Sequence, residues 1–463
     1  MIKYVFSKSL FKTLIFPYLF FLVLVYSYGY FNKLLPVSYW DEVYWVDRSN
    51  FFVYFINGDF GNEVWKNYKS FDQPKLAEYA FGAWLYPIYL LNKAKDSKPI
   101  DYNQFLIKNG FYFIQEDYDS APLEYKSIYN FVKYDGAMIG YLEDWVAKYG
   151  IESRKTVNLI LYARILNVFL LSGAVIIAYF LALKFKGFIF SIIFSILYGY
   201  NSLIIETGLK AYSEALFLLT FNASLYFMVL YFEKNRNILY LILFSLFSSL
   251  CMSTKLNGSF MFIIFTFVNT LILILFKEKK VSNILWNIFS LFLGLVIFVG
   301  LNPFTYSNPF KNIKYMFEHR NSTAIYERIY NPEASIERGK SIKKIFENFY
   351  FSGYTKIFNG IKIFNRLNLI KNYGVYLFLL FLLGMIYTIK LVLQKYVMAI
   401  IIITSFLIIL LFMNYYLILD WMRYYVHLSF FFTLFQLSGL FFLLKYILKY
   451  MKYIMIKIIS FVY

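Results

Sequence analysis

The chain has 463 residues, 60% of them hydrophobic and only 16% charged, which excludes an ordinary soluble globular protein. Its net charge of +19 would suit nucleic acid, but the cations stand in small groups at the ends of apolar runs, which argues against that partner. A single cysteine allows no disulfide framework within the chain, and two histidines cannot complete a Cys/His metal cluster.

Taken in chain order, apolar runs of the length that crosses a bilayer predict ten transmembrane helices. They lie at roughly 13–31, 157–183, 187–205, 212–232, 238–254, 258–276, 283–301, 373–393, 397–418 and 425–444, with a shorter apolar piece at 453–463. The fold expected is therefore an all-α polytopic membrane protein, one domain over 1–463. The first run follows a basic start (Lys3, Lys8, Lys12) and lacks a small-residue cleavage site, so it reads as a retained helix. With ten spans, the groups Lys184/Lys186, Lys234/Arg236, Lys277/Lys279/Lys280, Lys390/Lys395 and Lys445/Lys449/Lys452 all fall on the side of the N-terminus. The positive-inside rule makes that side cytoplasmic. The expected location is the cytoplasmic membrane, multi-pass, with the working face outward.

Two long segments then lie outside, 32–156 and 302–372. The first opens with adjacent carboxylates, Asp41 and Glu42, about ten residues past the first span. Such a pair at the lipid–water boundary can take a proton from a hydroxyl, although it also serves as an ordinary solvated loop cap. Further along, Phe81 to Leu91 forms an apolar patch short for a span and suited to a helix lying in the interface. The second segment carries apolar residues at helical spacing (Ile313, Met316, Phe317; Ile342, Ile345, Phe346, Phe349), consistent with amphipathic helices.

The remaining turns on this side hold isolated charges: Glu206, Lys210 and Glu214; Lys255 in Ser253-Thr254-Lys255-Leu256-Asn257-Gly258; and Asp420-Trp421-Met422-Arg423-Tyr424. Arg164 lies about two turns inside the second span. Charge at membrane depth is costly and usually faces a protein or water-filled cavity. Cations there suit a phosphate, which arginine can bind through two parallel hydrogen bonds. Trp40, Trp45, Trp65, Trp84 and Trp421 read as an interfacial belt.

A basic N-terminus, one span and then Asp41-Glu42 resemble the lipid-linked-sugar transferases of the type-C glycosyltransferase fold (GT-C), in particular the protein O-mannosyltransferase and lipid A aminoarabinose transferase branch. Asp72-Gln73-Pro74-Lys75-Leu76 is similar to the His-Pro-Pro-Leu-type element that follows the acidic pair. Arg164, Thr254-Lys255, Asn302-Pro303-Phe304 with Asn308-Pro309, and Arg423-Tyr424 resemble further elements in the same order. The likeness covers about residues 1–310. Gln73 and Lys75 depart from the pattern, and nothing resembles the accessory domain of the eukaryotic mannosyltransferases.

The resemblance implies transfer of a sugar from a polyprenyl-phosphate donor to an acceptor hydroxyl on protein, lipid or polysaccharide, with inversion. Asp41 would be the general base and Glu42 an organiser pairing with a cation such as Arg164. Arg164, Lys255 and Arg423 would stabilise the departing phosphate, with Asp72, Glu206 and Glu214 among the binding residues. Because the leaving group is a lipid monophosphate, no metal or other cofactor is called for. A multi-span transporter or lipid flippase, using the same charges as a substrate path, is the alternative.

Overall fold

The computed structural model describes residues 39–66, 68–95, 100–109, 153–276, 280–330, 332–350 and 373–462. The expected span at 13–31 lies outside the described residues, as do 110–152 and 351–372 of the two long segments.

The described chain is helical throughout, in the order α1 (Tyr39–Asp47), α2 (Phe51–Ile56), α3 (Tyr68–Asp72), α4 (Leu76–Lys93), α5 (Tyr102–Lys108), α6 (Ser153–Lys186), α7 (Phe188–Gly199), α8 (Ser202–Gly208), α9 (Glu214–Glu233) and α10 (Ile238–Thr254). It continues with α11 (Phe260–Phe276), α12 (Lys280–Leu301), α13 (Pro309–Tyr330), α14 (Ser341–Tyr350), α15 (Tyr373–Leu393), α16 (Val397–Tyr416) and α17 (Leu428–Val462). The stretches expected to span between 157 and 444 are mostly helical. Among the described residues, seven helices are long and apolar enough to cross a membrane: Asn158–Lys186, Glu214–Glu233, Leu256–Phe276, Ile284–Leu301, Gly374–Leu393, Val397–Tyr416 and Leu428–Lys457. The stretch 187–205 instead breaks into α7 and α8, bent by 55°, which adds an eighth crossing if the pair acts as one; α10 is shorter, at 17 residues.

Local chemistry explains these breaks. Gly187, at φ +89°, turns the chain from α6 into α7 through a conformation that only glycine adopts without strain. Asn201 caps α8 by accepting from the Leu203 amide at 2.9 Å, so helix formation restarts after Tyr200. Asn237 does the same for α10 through Leu239.

The spanning helices share one continuous core. In lipid, where burial of apolar surface drives little, close backbone approach carries much of the packing. Phe381, Gly384 and Tyr387 of α15 step along Phe435, Gly439 and Phe442 of α17, so these helices run parallel and nearly touch. A second cluster joins α1, α4 and α5 to Leu159, Ile160 and Ala163 of α6. A third packs Phe51, Trp65 and Tyr79 against Phe298, Phe304 and Met316, tying the first long segment to the second.

The first segment is thus seated on one end of the bundle. Phe81, Leu85 and Tyr89 of α4, expected to face lipid, are buried against protein instead, while Leu90 and Leu91 stay exposed. Trp45 and Trp65, expected in an aromatic belt, are core residues at 5% and 2% exposure. At the opposite end, Lys184 pairs with Glu233 at 2.6 Å, and Lys186 lies over the Tyr387 ring with Lys445 close by. The basic groups of α6 and α17 therefore gather at one end.

Candidate functional site

Two buried ion networks meet where the first segment sits on the bundle. The first is built on Glu42. Val43 and Val46 of α1 pack into the second cluster, which holds that helix against α4 and the end of α6. Glu42 is fully buried and receives Arg164 through two bonds, Nε to Oε1 and Nη2 to Oε2, both at 2.6 Å. This is the cation partnership expected of Glu42. The Ala211 amide also donates to Oε1 at 2.8 Å, and Asn167 donates to the carbonyls of Lys210 and Tyr212. A buried pair repays its desolvation only with such geometry and with its remaining lone pairs satisfied. Asp41 precedes Glu42 in the same helix; the described side chains begin at Glu42.

The second network centres on Asp72, at the end of α3. Arg320 of α13 donates to Oδ1 at 2.6 Å, Tyr44 donates its hydroxyl to Oδ2, and Arg48 lies 3.4 Å from Oδ2. Burial alone would raise the Asp72 carboxyl, but Arg320 and Arg48 overcome it and hold it well below the ordinary carboxylate range. Arg48 also reaches Glu78 at 3.8 Å, with its guanidinium over the Tyr44 ring. Lys75 and Glu78 pair at 2.9 Å with no exposure on either side chain. Burial pushes Glu78 up to about 7 against the pull of Lys75, and pulls Lys75 down to about 8 against the pull of Glu78.

The surroundings of Lys75 explain how a buried lysine fits here. Its ammonium lies over the Phe51 ring at 4.4 Å and its partner stands one helical turn on, at Glu78. Its amide donates to Asn302 Oδ1 at 3.0 Å, while Asn302 Nδ2 donates to the Phe298 carbonyl and toward Ser253. Asp72-Gln73-Pro74-Lys75 and Asn302-Pro303-Phe304 therefore dock on each other.

The cations of the bundle close the group. Lys255, at the end of α10, donates to Glu214 at 2.6 Å. Arg423 and Arg320 are both near enough to Lys255 to repel it, and Tyr424 stands beside Arg320. Arg423 itself stacks over Trp421 at 4.8 Å. Asp72, Glu214, Lys255 and Arg423 are thus brought into one charged region, joined to Glu42 and Arg164 through α1 and the 210–214 turn. Glu206, half-buried on α8, joins none of these pairs.

Beside this region, a cleft of about 550 Å³ is lined by Asn321, Arg338, Leu411, Phe412, Tyr415 and Tyr416. One wall is the last turn of α16, apolar and aromatic; the other offers an amide and a guanidinium. Among the described residues, no three or more His, Cys, Asp or Glu side chains come together as around a metal ion.

Sequence reasoning missed Tyr44, Arg48, Glu78 and Arg320. The spacing of Lys75 and Glu78, one turn apart at a helix start, was a usable signal. Nothing local marks Arg320, whose partner is 248 residues away. Comparison with protein-family models, with characterised proteins and with solved structures finds no match for this chain.

Proposed function

We propose that this chain is an integral-membrane glycosyltransferase of the type-C kind, moving a sugar from a polyprenyl-phosphate donor to an acceptor hydroxyl at the outer membrane face. The observation that carries the reading is the buried Glu42–Arg164 pair, which fixes the helix bearing Asp41 beside a cluster of cations. With Glu42 committed to Arg164 and Ala211, we assign proton transfer to Asp41. The acceptor oxygen attacks the anomeric carbon as Asp41 takes its proton, and the bond to the phosphate oxygen breaks, releasing the lipid monophosphate with inversion. Developing charge on the phosphate is stabilised by cations already in place; Lys255, Arg320 and Arg423 are the ones assigned here. The amphiphilic cleft beside these cations is the assigned seat of the donor's lipid chain, along α16. Ten spans, counting 13–31, the bent pair and α10, put the basic ends in the cytoplasm.

One observation favours the alternative, a transporter or flippase: the break between α7 and α8, since broken helices line many transport sites. The two readings separate in a reconstituted assay. Purified protein supplied with polyprenyl-phosphate sugars should release lipid monophosphate only when acceptor is present, and Asp41→Asn should abolish release. Movement of intact donor across the bilayer, unchanged by Asp41→Asn, would establish the transporter instead.

A further inference from the structure

At the end of the bundle away from the charged site, α17 outruns the membrane. Its 35 residues rise about 52 Å, against about 30 Å of hydrocarbon. Tyr387 of α15 packs on Phe442, and α15 ends six residues on at Leu393, so the bundle's edge falls near Leu448. From Leu443 to Lys457 every described residue of α17 is exposed.

The exposed segment is sided as far as Met455, after which Ile456 falls among the lysines. At about 100° per residue, Lys445, Lys449 and Lys452 fall within about 60° of one another. Tyr446, Tyr450 and Tyr453 form a neighbouring stripe, and Lys457 lies over the Tyr453 ring at 5.3 Å. The far side carries Leu448, Met451 and Met455, exposed by 65%, 54% and 60%. A lysine stripe, a tyrosine border and an apolar arc make up the surface that an interfacial helix presents to a bilayer.

The charge chooses the occupant. No Asp or Glu occurs after Asp420, and Glu233, a carboxylate at this end among the described residues, is engaged by Lys184. The neighbouring helix ends add Lys186, Lys390 and Lys395. We infer that residues 445–457 dock on the membrane surface at this end, the apolar arc in the interface and the lysine stripe on the phosphates of anionic phospholipids. A tilt of α17, or a bend where it emerges, brings the arc to lipid. The inference is independent of the transferase reading and would hold for a transporter.

The test uses the full chain in nanodiscs of phosphatidylcholine with phosphatidylglycerol, against phosphatidylcholine alone. A nitroxide on Met451→Cys reports depth, the native Cys251 being buried. In the anionic discs the label should be shielded from a water-soluble nickel chelate and open to oxygen, and added salt should weaken the shielding. Changing Lys445, Lys449 and Lys452 to Gln should lower the docked-to-undocked ratio by about fivefold per lysine. Salt dependence in the unsubstituted helix keeps the test valid if that triple variant folds poorly. Shielding that is equal in phosphatidylcholine alone, dipolar coupling between labels of two copies, or a label open to water would each overturn the proposal.

Discussion

The Glu42–Arg164 pair makes a quantitative demand on the protein's stability. Arg164 is 1% exposed and Glu42 is fully buried, and their two bonds of 2.6 Å leave neither group in contact with water. Replacing Arg164 by Met strips the carboxylate of its cation and of two of the three bonds named above, leaving the Ala211 amide. Breaking a buried pair from one side costs about 3–5 kcal/mol, because the remaining charge is stranded. Glu42→Gln should cost a similar amount, since Arg164 would face a neutral amide. The double variant strands nothing, so its cost should fall short of the sum by at least about 2 kcal/mol. The assay is equilibrium unfolding of the four proteins in mixed detergent micelles, followed by tryptophan fluorescence, which the buried Trp45 on α1 and Trp65 make sensitive to this region. Single variants that each cost under about 1 kcal/mol, or a strictly additive double variant, would show that the pair does not hold α1 in place.

Other predictions follow from the same contacts. A Cβ on Gly384 would lie 1.8 Å from the Phe435 carbonyl oxygen, and one on Gly439 would lie 1.9 Å from that of Leu380. Backbone cannot swing aside, so Gly384→Ala and Gly439→Ala should each destabilise by about 1–3 kcal/mol or more in the same unfolding assay. Gly300→Ala, with nothing within 4 Å, should not. Asp72 is held below its ordinary value of 3.8, so its contribution is complete above that pH and is lost as pH falls further. Asp72→Asn should therefore flatten the acid limb of a stability–pH curve, and an unchanged limb would contradict the ion network. His319 is held below its ordinary 6.5, chiefly by burial, so its contribution is present above that value and lost as pH falls; His319→Gln should remove that dependence. In a steady-state transfer assay, Arg423→Gln should lower kcat/KM about tenfold by removing a charge that stabilises the departing phosphate, with little change in stability.

How much was legible in the sequence depended on the reach of each interaction. The spanning stretches showed because a bilayer demands long apolar runs. The partnership of Glu42 with Arg164 was expected only through the resemblance, which offered Arg164 as one cation for that carboxylate; no spacing in the chain links two residues 122 positions apart. The break at Asn201 was harder: 187–205 is mostly apolar, and only the short Gly199-Tyr200-Asn201-Ser202 stretch, with its capping side chain, marks where the helix stops and restarts. The Asp72 network could not be read, since Arg320 reaches it across a docking of the two long segments that no periodicity encodes. Trp45, Trp65 and the α4 patch were misplaced for a related reason. In a chain this apolar, side chains bound for a protein core and side chains bound for lipid look alike.

Lipid mass spectrometry on cells producing the natural chain or Asp41→Asn tests the central claim most directly. Accumulation of a polyprenyl-phosphate sugar in the Asp41→Asn cells alone is the result expected, and its mass identifies the donor. Identical lipid profiles, with the cells' glycans intact, would contradict the assignment of Asp41 as the base and turn the account toward transport.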